Sequence, residues 1–447
     1  MRMAKGAGMM WLLVLIVMAH ASVPHLPIEY YVSGTGNDSA NGLTTATAFR
    51  TLQHAANVTE PGDTVYVMNG TYTNSCAGCH VMDVSRPGTA DAWITFTAYP
   101  GQKPKIQFNG WEGIFIQPAA AYIEVSGFTI EGNNYNVTLE GAQKQSTTKP
   151  DPAYNGNCIA SDGRKGTATQ KPHHLRILNN TLYACGGEGV SAIQSDYVTI
   201  SGNTIYDTSW YSIYGTSGIS TFEDWNSDDS TAAKMFITGN RLFGNGQLIP
   251  TSSDGVITDG EGIIVDSCRN ASYQPKIGIA AYTGRTYIAN NVIYDNGSSA
   301  IEAFQSDHVD IAYNSTFNNV LVPLLSGWGE VFVNAASDVK VIGNILYAAN
   351  GQNPVAVLKT ARAVELDYNV YYNGVLAAGT VGGTHDVMAD PLYVDSGNAS
   401  RLNVVLKVKP ASPAVGTGTT NLAPATDFEG NPRPGSKGYD RGAYQQP

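Results

Sequence analysis

Charge is scarce in this chain of 447 residues: Asp, Glu, Lys and Arg together make up 14%, and acids outnumber bases to a net charge of -11. The deficit argues against a nucleic-acid partner, because such binding needs a basic surface. Long apolar runs are missing beyond the N-terminus, so no membrane span is expected there. The run that does exist, MMWLLVLIVMA behind Arg2 and Lys5, falls short of the ~18 residues needed to span a bilayer and leads to Ala19-His20-Ala21. It reads as a secretory signal over 1–21, which makes the protein secreted and extracellular, with an oxidising destination. Cysteines number only five, so any pairing leaves one thiol over. Cys76 and Cys79 are expected to form a local disulfide or to serve a loop, since a structural metal site needs four ligands and no second pair follows. Cys158 and Cys185, 27 residues apart, are expected on adjacent coils, either as a bridge or as two small buried residues.

What the chain does hold is glycine, 48 residues of it, with many Asn, Thr, Ser and Tyr. That composition suits short strands joined by tight corners. Leu175 to Asp207 states one pattern twice. Leu175 and Ile177 alternate into Asn180, then Leu182 and Tyr183, a Gly-rich corner, and Val190 and Ala192; Val198, Ile200, Asn203, Ile205 and Tyr206 begin it again. A period of 23 residues between Asn180 and Asn203 is the signature of a solenoid. Asn180, Asn203, Asn240, Asn291, Asn314 and Asn344 fall at one corner of successive coils. Asn tolerates the left-handed backbone of a tight bend, and its amide can bond to the copy one rung away, about 4.8 Å off. The ladder is structural, and Gly187-Glu188-Gly189 reads as part of the repeat's corner.

Ahead of these coils stand YYVSGTGNDSANG (from Tyr30), AFRTLQHAAN (from Ala48) and PGDTVYVMNGTY (from Pro61). Leu52, Ala55 and Ala56 recur at helical spacing, which predicts a short helix covering the open end of the first coil. This stretch resembles the N-terminal cap and first coil of secreted right-handed parallel β-helix proteins of the pectate-lyase-like superfamily, which includes polysaccharide lyases and glycoside hydrolases. The resemblance implies an all-β, right-handed parallel β-helix. The expected organisation is a monomer with the helix and its cap over 22–385. Residues 386–447, whose HDVMADPLYV and DFEGNPRPGSKGYDRGAY resemble the closing segments of bacterial relatives, are expected to cap the last coil.

Two departures from the minimal coil mark a functional face. Asn203 to Asn240 spans 37 residues and Asn240 to Asn291 spans 51, so sequence is inserted near Glu223–Ala233 and over Gln247–Arg285; such insertions build binding faces. The second strands of the coils align as Ile159–Asp162, Val190–Ile193, Ile219–Phe222, Ile263–Asp266 and Ile301–Phe304. Period two then places Asp162, Phe222, Asp266 and Phe304 on an outer stripe beside Glu302, where rings and acids suit a sugar chain. Trp225 joins them as a substrate-binding candidate.

Two chemistries fit this cluster. β-Elimination on an acidic, uronic-acid polysaccharide needs a base and a positive group or Ca2+, with Lys234 or Arg285 in the first roles and Asp224, Asp228, Asp259 and Asp266 as metal ligands. Hydrolysis needs two carboxylates, Asp259 with Asp266 or Glu223 with Asp266. Elimination is the favoured expectation, and a non-catalytic carbohydrate-binding or adhesion helix is the competing one. Of the NTD, DD, GHG and RIK elements of β-helix polygalacturonases the chain has only a DD pair, Asp228-Asp229, which demotes pectin-type hydrolysis.

Overall fold

The computed structural model describes residues 25–145, 148–269, 279–397 and 400–447. The expected signal at 1–21 lies outside them. Three long sheets of eleven, nine and eleven strands run the length of the molecule, and every neighbouring pair within them is parallel, so each coil adds one strand to each sheet in turn. The repeat spacing produces this directly: an alternating run, an Asn corner, a three-residue run, a Gly corner and a four-residue run close one coil. Side chains of period two pointing inward form a single core from Val32 to Tyr371. Among the described residues no helix is long and apolar enough to cross a membrane.

The expected helix spans Leu52–Val58, with the Thr51 hydroxyl accepting from the His54 N–H and Leu52, Ala55 and Ala56 buried. Its apolar face joins the main core at the first coil. The second strands pair in the register expected, Ile159 with Val190, Ile219, Ile263 and Ile301 in succession. This nine-stranded sheet carries the candidate site.

At the Asn corner each residue's N–H and side-chain amide donate to the Oδ1 of the next, from Asn180 to Asn203 (2.9 and 3.0 Å) and onward through Asn240, Asn291, Asn314, Asn344 and Asn369. A second ladder runs at the following corner through Asn245, Asn296 and Asn319 and ends on Glu330. Cys76–Cys79 and Cys158–Cys185 are disulfides, and Cys268 is a buried thiol.

The C-terminal segment packs against the outer side of the third sheet. Its antiparallel hairpin, Tyr393–Asp395 with Val405–Val408, packs Val404, Leu406 and Tyr444 on Phe243, Val292, Tyr294 and Ile345. These project outward from the third sheet, so the segment lies back along the side of the helix. Arg241 Nη1 donates to the Val404 carbonyl (2.9 Å), and the Tyr294 hydroxyl donates to that of Arg401 (2.6 Å). The apolar outer stripe of the third sheet explains the course, since it would otherwise face water.

Candidate active site

The outer face of the nine-stranded sheet is walled by the segments that precede its strands, at 207–218, 244–262 and 318–328. Two cavities of ≈390 and ≈560 Å³ open along it and share Gly215, Phe222 and Asp266. Together they form one cleft. Gly215 has a steric reason to be glycine, because a Cβ there would fall 2.6 Å from Asp259 Oδ2.

Five of the residues named from sequence meet in the larger cavity: Phe222, Asp259, Asp266, Glu302 and Phe304. Asp266 ends its strand with the Ser267 hydroxyl on Oδ1 (2.7 Å), and Asp259 takes the Thr258 hydroxyl on Oδ2 (2.5 Å). Their environments drive protonation upward. Burial, opposed by the Thr258 hydroxyl and reinforced by the charge of Asp254, takes Asp259 to about 6. Burial takes Asp266 to about 7, with the Ser267 hydroxyl opposing and the charges of Asp259 and Glu223 adding. Behind them Glu261 is held by the Ser217 and Ser298 hydroxyls, and burial with the charge of Glu261 raises Glu302.

The other residues named from sequence lie elsewhere. Lys234 points away from the cleft, on the first sheet, with its ammonium 2.9 Å from Asp196 and both side chains fully buried. Arg285 is also on the first sheet, clamped by Asp310 (2.6 Å) and Asp338 (2.6 Å). Glu223 is 2% exposed beyond the end of its strand, accepting from Gln194 Nε2 at 2.8 Å. Trp225 sits on the following loop with its ring near His173. Asp162 holds Arg164, which lines the smaller cavity, through Nη2 at 2.7 Å. The inserted loop of Glu223–Ala233 therefore leaves the cleft after Phe222 and folds over the first sheet.

The nominated calcium ligands are not gathered. Asp228 bonds to the Tyr197 hydroxyl (2.8 Å) and Lys234, Asp224 is fully buried and pushed up to about 8 by burial, and only Asp259 and Asp266 share a cavity. Among the described residues no set of three or more His, Cys, Asp or Glu side chains is placed to hold a metal.

Sequence reasoning missed Glu188, Arg164, Tyr214, Trp111 and Trp328 as cleft residues, and it assigned no role to Glu261. One signal was available. Gly187-Glu188-Gly189-Val190 and Gly260-Glu261-Gly262-Ile263 place a glutamate at the same register, two residues ahead of the two strands that flank Ile219–Phe222.

Residues 30–184 match the model of a Pel9A-like, right-handed β-helix region. The crystal structure of pectate lyase Pel9A is similar to this one with a TM-score of 0.54 at 13% identity, over 95% of this chain and 98% of that one. The GH136 lacto-N-biosidase from Eubacterium ramulus gives 0.46 at 15% identity over 78% and 57% of the two chains. The A-module of mannuronan C-5 epimerase AlgE4 from Azotobacter vinelandii gives 0.38 at 14% identity over 76% and 93%. No curated protein sequence matches the chain. The resemblance carried by the N-terminal residues thus holds at the level of architecture, and the chain folds as a right-handed parallel β-helix.

Proposed function

We propose that the protein is a polysaccharide-active enzyme, acting outside the cell, that hydrolyses a glycosidic bond in this cleft with Asp266 as general acid and Asp259 as its partner carboxylate. One observation carries the reading: two carboxyl groups face one cavity, and burial raises both, Asp266 to about 7 and Asp259 to about 6, so that a proton is held in the cleft near neutrality. Protonated Asp266 donates to the glycosidic oxygen as the bond to the anomeric carbon breaks. Ionised Asp259 stabilises the positive charge that develops on that carbon; water adds its hydroxyl there and its proton returns to the carboxylate of Asp266. Phe222, Phe304 and Trp328 supply ring faces for the sugar's CH groups, and Glu302 bonds to its hydroxyls.

Elimination is the second reading, and one residue favours it. Arg164 is the one Lys or Arg among the described residues that line the two cavities, and it could face a sugar carboxylate. Lys234 and Arg285 are both committed to ion pairs away from the cleft, which leaves elimination without the base proposed for it. The test is cleavage of a panel of neutral and acidic polysaccharides, followed by reducing ends and by absorbance near 235 nm. New reducing ends without absorbance, reduced at least about 100-fold in Asp266→Asn and Asp259→Asn, are the expected result. Absorbance would establish elimination instead, and retention on a polymer with no cleavage would make the protein a binder.

A further inference from the structure

The two ends of the cleft differ in charge. Around Asp259 and Asp266 the lining adds Asp254 and Glu302 and, among the described residues, contains no Lys or Arg. A carboxylate-bearing sugar placed there would meet like charge with no cation to offset it. At the other end Arg164 lines the cavity beside Glu188. Its Nε and Nη2 are fixed on Asp162 at 3.0 and 2.7 Å, so the Nη1 edge is the part presented to a ligand.

Glu188 supplies an independent sign of a ligand. It is 6% exposed, it lies on the cavity wall, and its Oε2 has no hydrogen-bond partner. A buried polar atom in that state is costly unless something binds it. Burial pushes this carboxyl up to about 8 against the Ser191 and Ser220 hydroxyls, so near neutrality it carries an O–H to give. Guanidinium N–H and carboxyl O–H together complement an acceptor-only group, and Trp111, Ile193 and Tyr214 offer flat or apolar walls for a pyranose ring.

We infer that the Arg164–Glu188 end of the cleft is a separate subsite for a sugar carrying a carboxylate, whereas the sugar over Asp259 and Asp266 is uncharged. The substrate is then a mixed polysaccharide in which an acidic residue flanks the neutral one that is cut. The second half of this rests on the hydrolase reading; the subsite itself does not. The groups facing Glu188 are Arg164 with Asp162 at its side, Glu112 from the preceding coil, itself held by His80 at 2.6 Å, and Asp259 and Asp266 along the floor. When Glu188 ionises, the ligand carboxylate loses a donor and meets a repelling charge.

The test is a ligand-observed NMR titration of the full chain with glucuronate and galacturonate, using glucose and galactose as neutral controls. The acids are expected to bind about tenfold more tightly than the neutral sugars near neutral pH, and Arg164→Gln to erase that preference. In the wild type the preference falls as pH rises through about 8. In Glu188→Gln, which keeps a donor and cannot ionise, the preference persists and is flat over the same range. Equal binding of acids and neutrals, an unchanged preference in Arg164→Gln, or the same pH-dependent fall in Glu188→Gln would each overturn the subsite. Preference without cleavage of any polymer supports the subsite and overturns the hydrolase reading.

Discussion

Asp196 is the most heavily bonded carboxylate on the outer side of the first sheet. It accepts from the Lys234 ammonium (2.9 Å), the Tyr282 hydroxyl (2.7 Å), and both the N–H and the hydroxyl of Ser227 (2.7 Å each). Lys234 also lies over the Tyr197 and Tyr282 rings. These contacts fasten the inserted loop to the coil beneath it, and they give Lys234 a structural role where sequence suggested a base. Lys234→Met leaves the Asp196 charge buried without its counter-ion and is expected to destabilise by about 3–5 kcal/mol. Denaturant unfolding measures the loss, while the folded fraction keeps its turnover per molecule. Unchanged stability with abolished turnover would return Lys234 to the chemistry.

At the scale of the coil, the two asparagine ladders set the rung spacing, and each ends on a group that only accepts when ionised. Asn369 donates to Asp386 Oδ1 at 2.8 Å, and Asn319 donates to Glu330 through its backbone at 2.9 Å and its amide at 2.6 Å. A ladder in which every rung passes its donors forward needs a terminal acceptor, and the carboxyl oxygens of Asp386 and Glu330 supply one. Asn240 receives two bonds from Asn203 (2.9 and 3.0 Å), whereas Asn180, at the first rung, receives one from the Phe128 N–H. Asn240→Ala therefore orphans two buried donors and is expected to cost about 2–4 kcal/mol, more than Asn180→Ala, as a shift in denaturant midpoint. The first ladder was readable because its asparagines stand ahead of a recognisable apolar pair in every coil. The second was not, although Asn245, Asn296 and Asn319 each follow a first-ladder residue by five positions. For the same reason the strand register, which depends on neighbours one period apart, was legible down to Asp266 and Phe304. Where the inserted loops travel was not, because Lys234 and Arg285 are placed by ion pairs with Asp196, Asp310 and Asp338, and no repeat encodes such pairings.

Across the whole molecule, Asp196 and Asp310 are buried against Lys234 and Arg285, but six other interior acids have their protonation raised by burial instead. Glu188, Asp224 and Glu261 are pushed up to about 8, Asp266 and Glu330 to about 7 and Asp259 to about 6, in each case first by burial. An acid whose folded pKa exceeds its unfolded value binds protons more tightly in the native state, so its contribution is complete below the unfolded value near 4. It is lost as pH rises through the folded one. Asp38, Asp228, Asp338 and Asp367 shift downward, hydrogen bonds outweighing a burial that pushes the other way. Their contribution is lost only below about pH 4, so they leave the range above it untouched. The β-helix is therefore expected to be more stable at pH 5 than at pH 8, with a melting temperature higher by on the order of 5 °C, measured by calorimetry in buffers of matched ionic strength. Glu330 separates this from the chemistry, since it lies at the end of a ladder and outside the cleft lining. Glu330→Gln, which cannot ionise, is expected to narrow the difference between the two pH values without altering cleavage by the folded enzyme. A melting temperature that rises from pH 5 to pH 8 would mean that these acids are ionised in the folded state, and the assignment of Asp266 as a proton donor would fall with it.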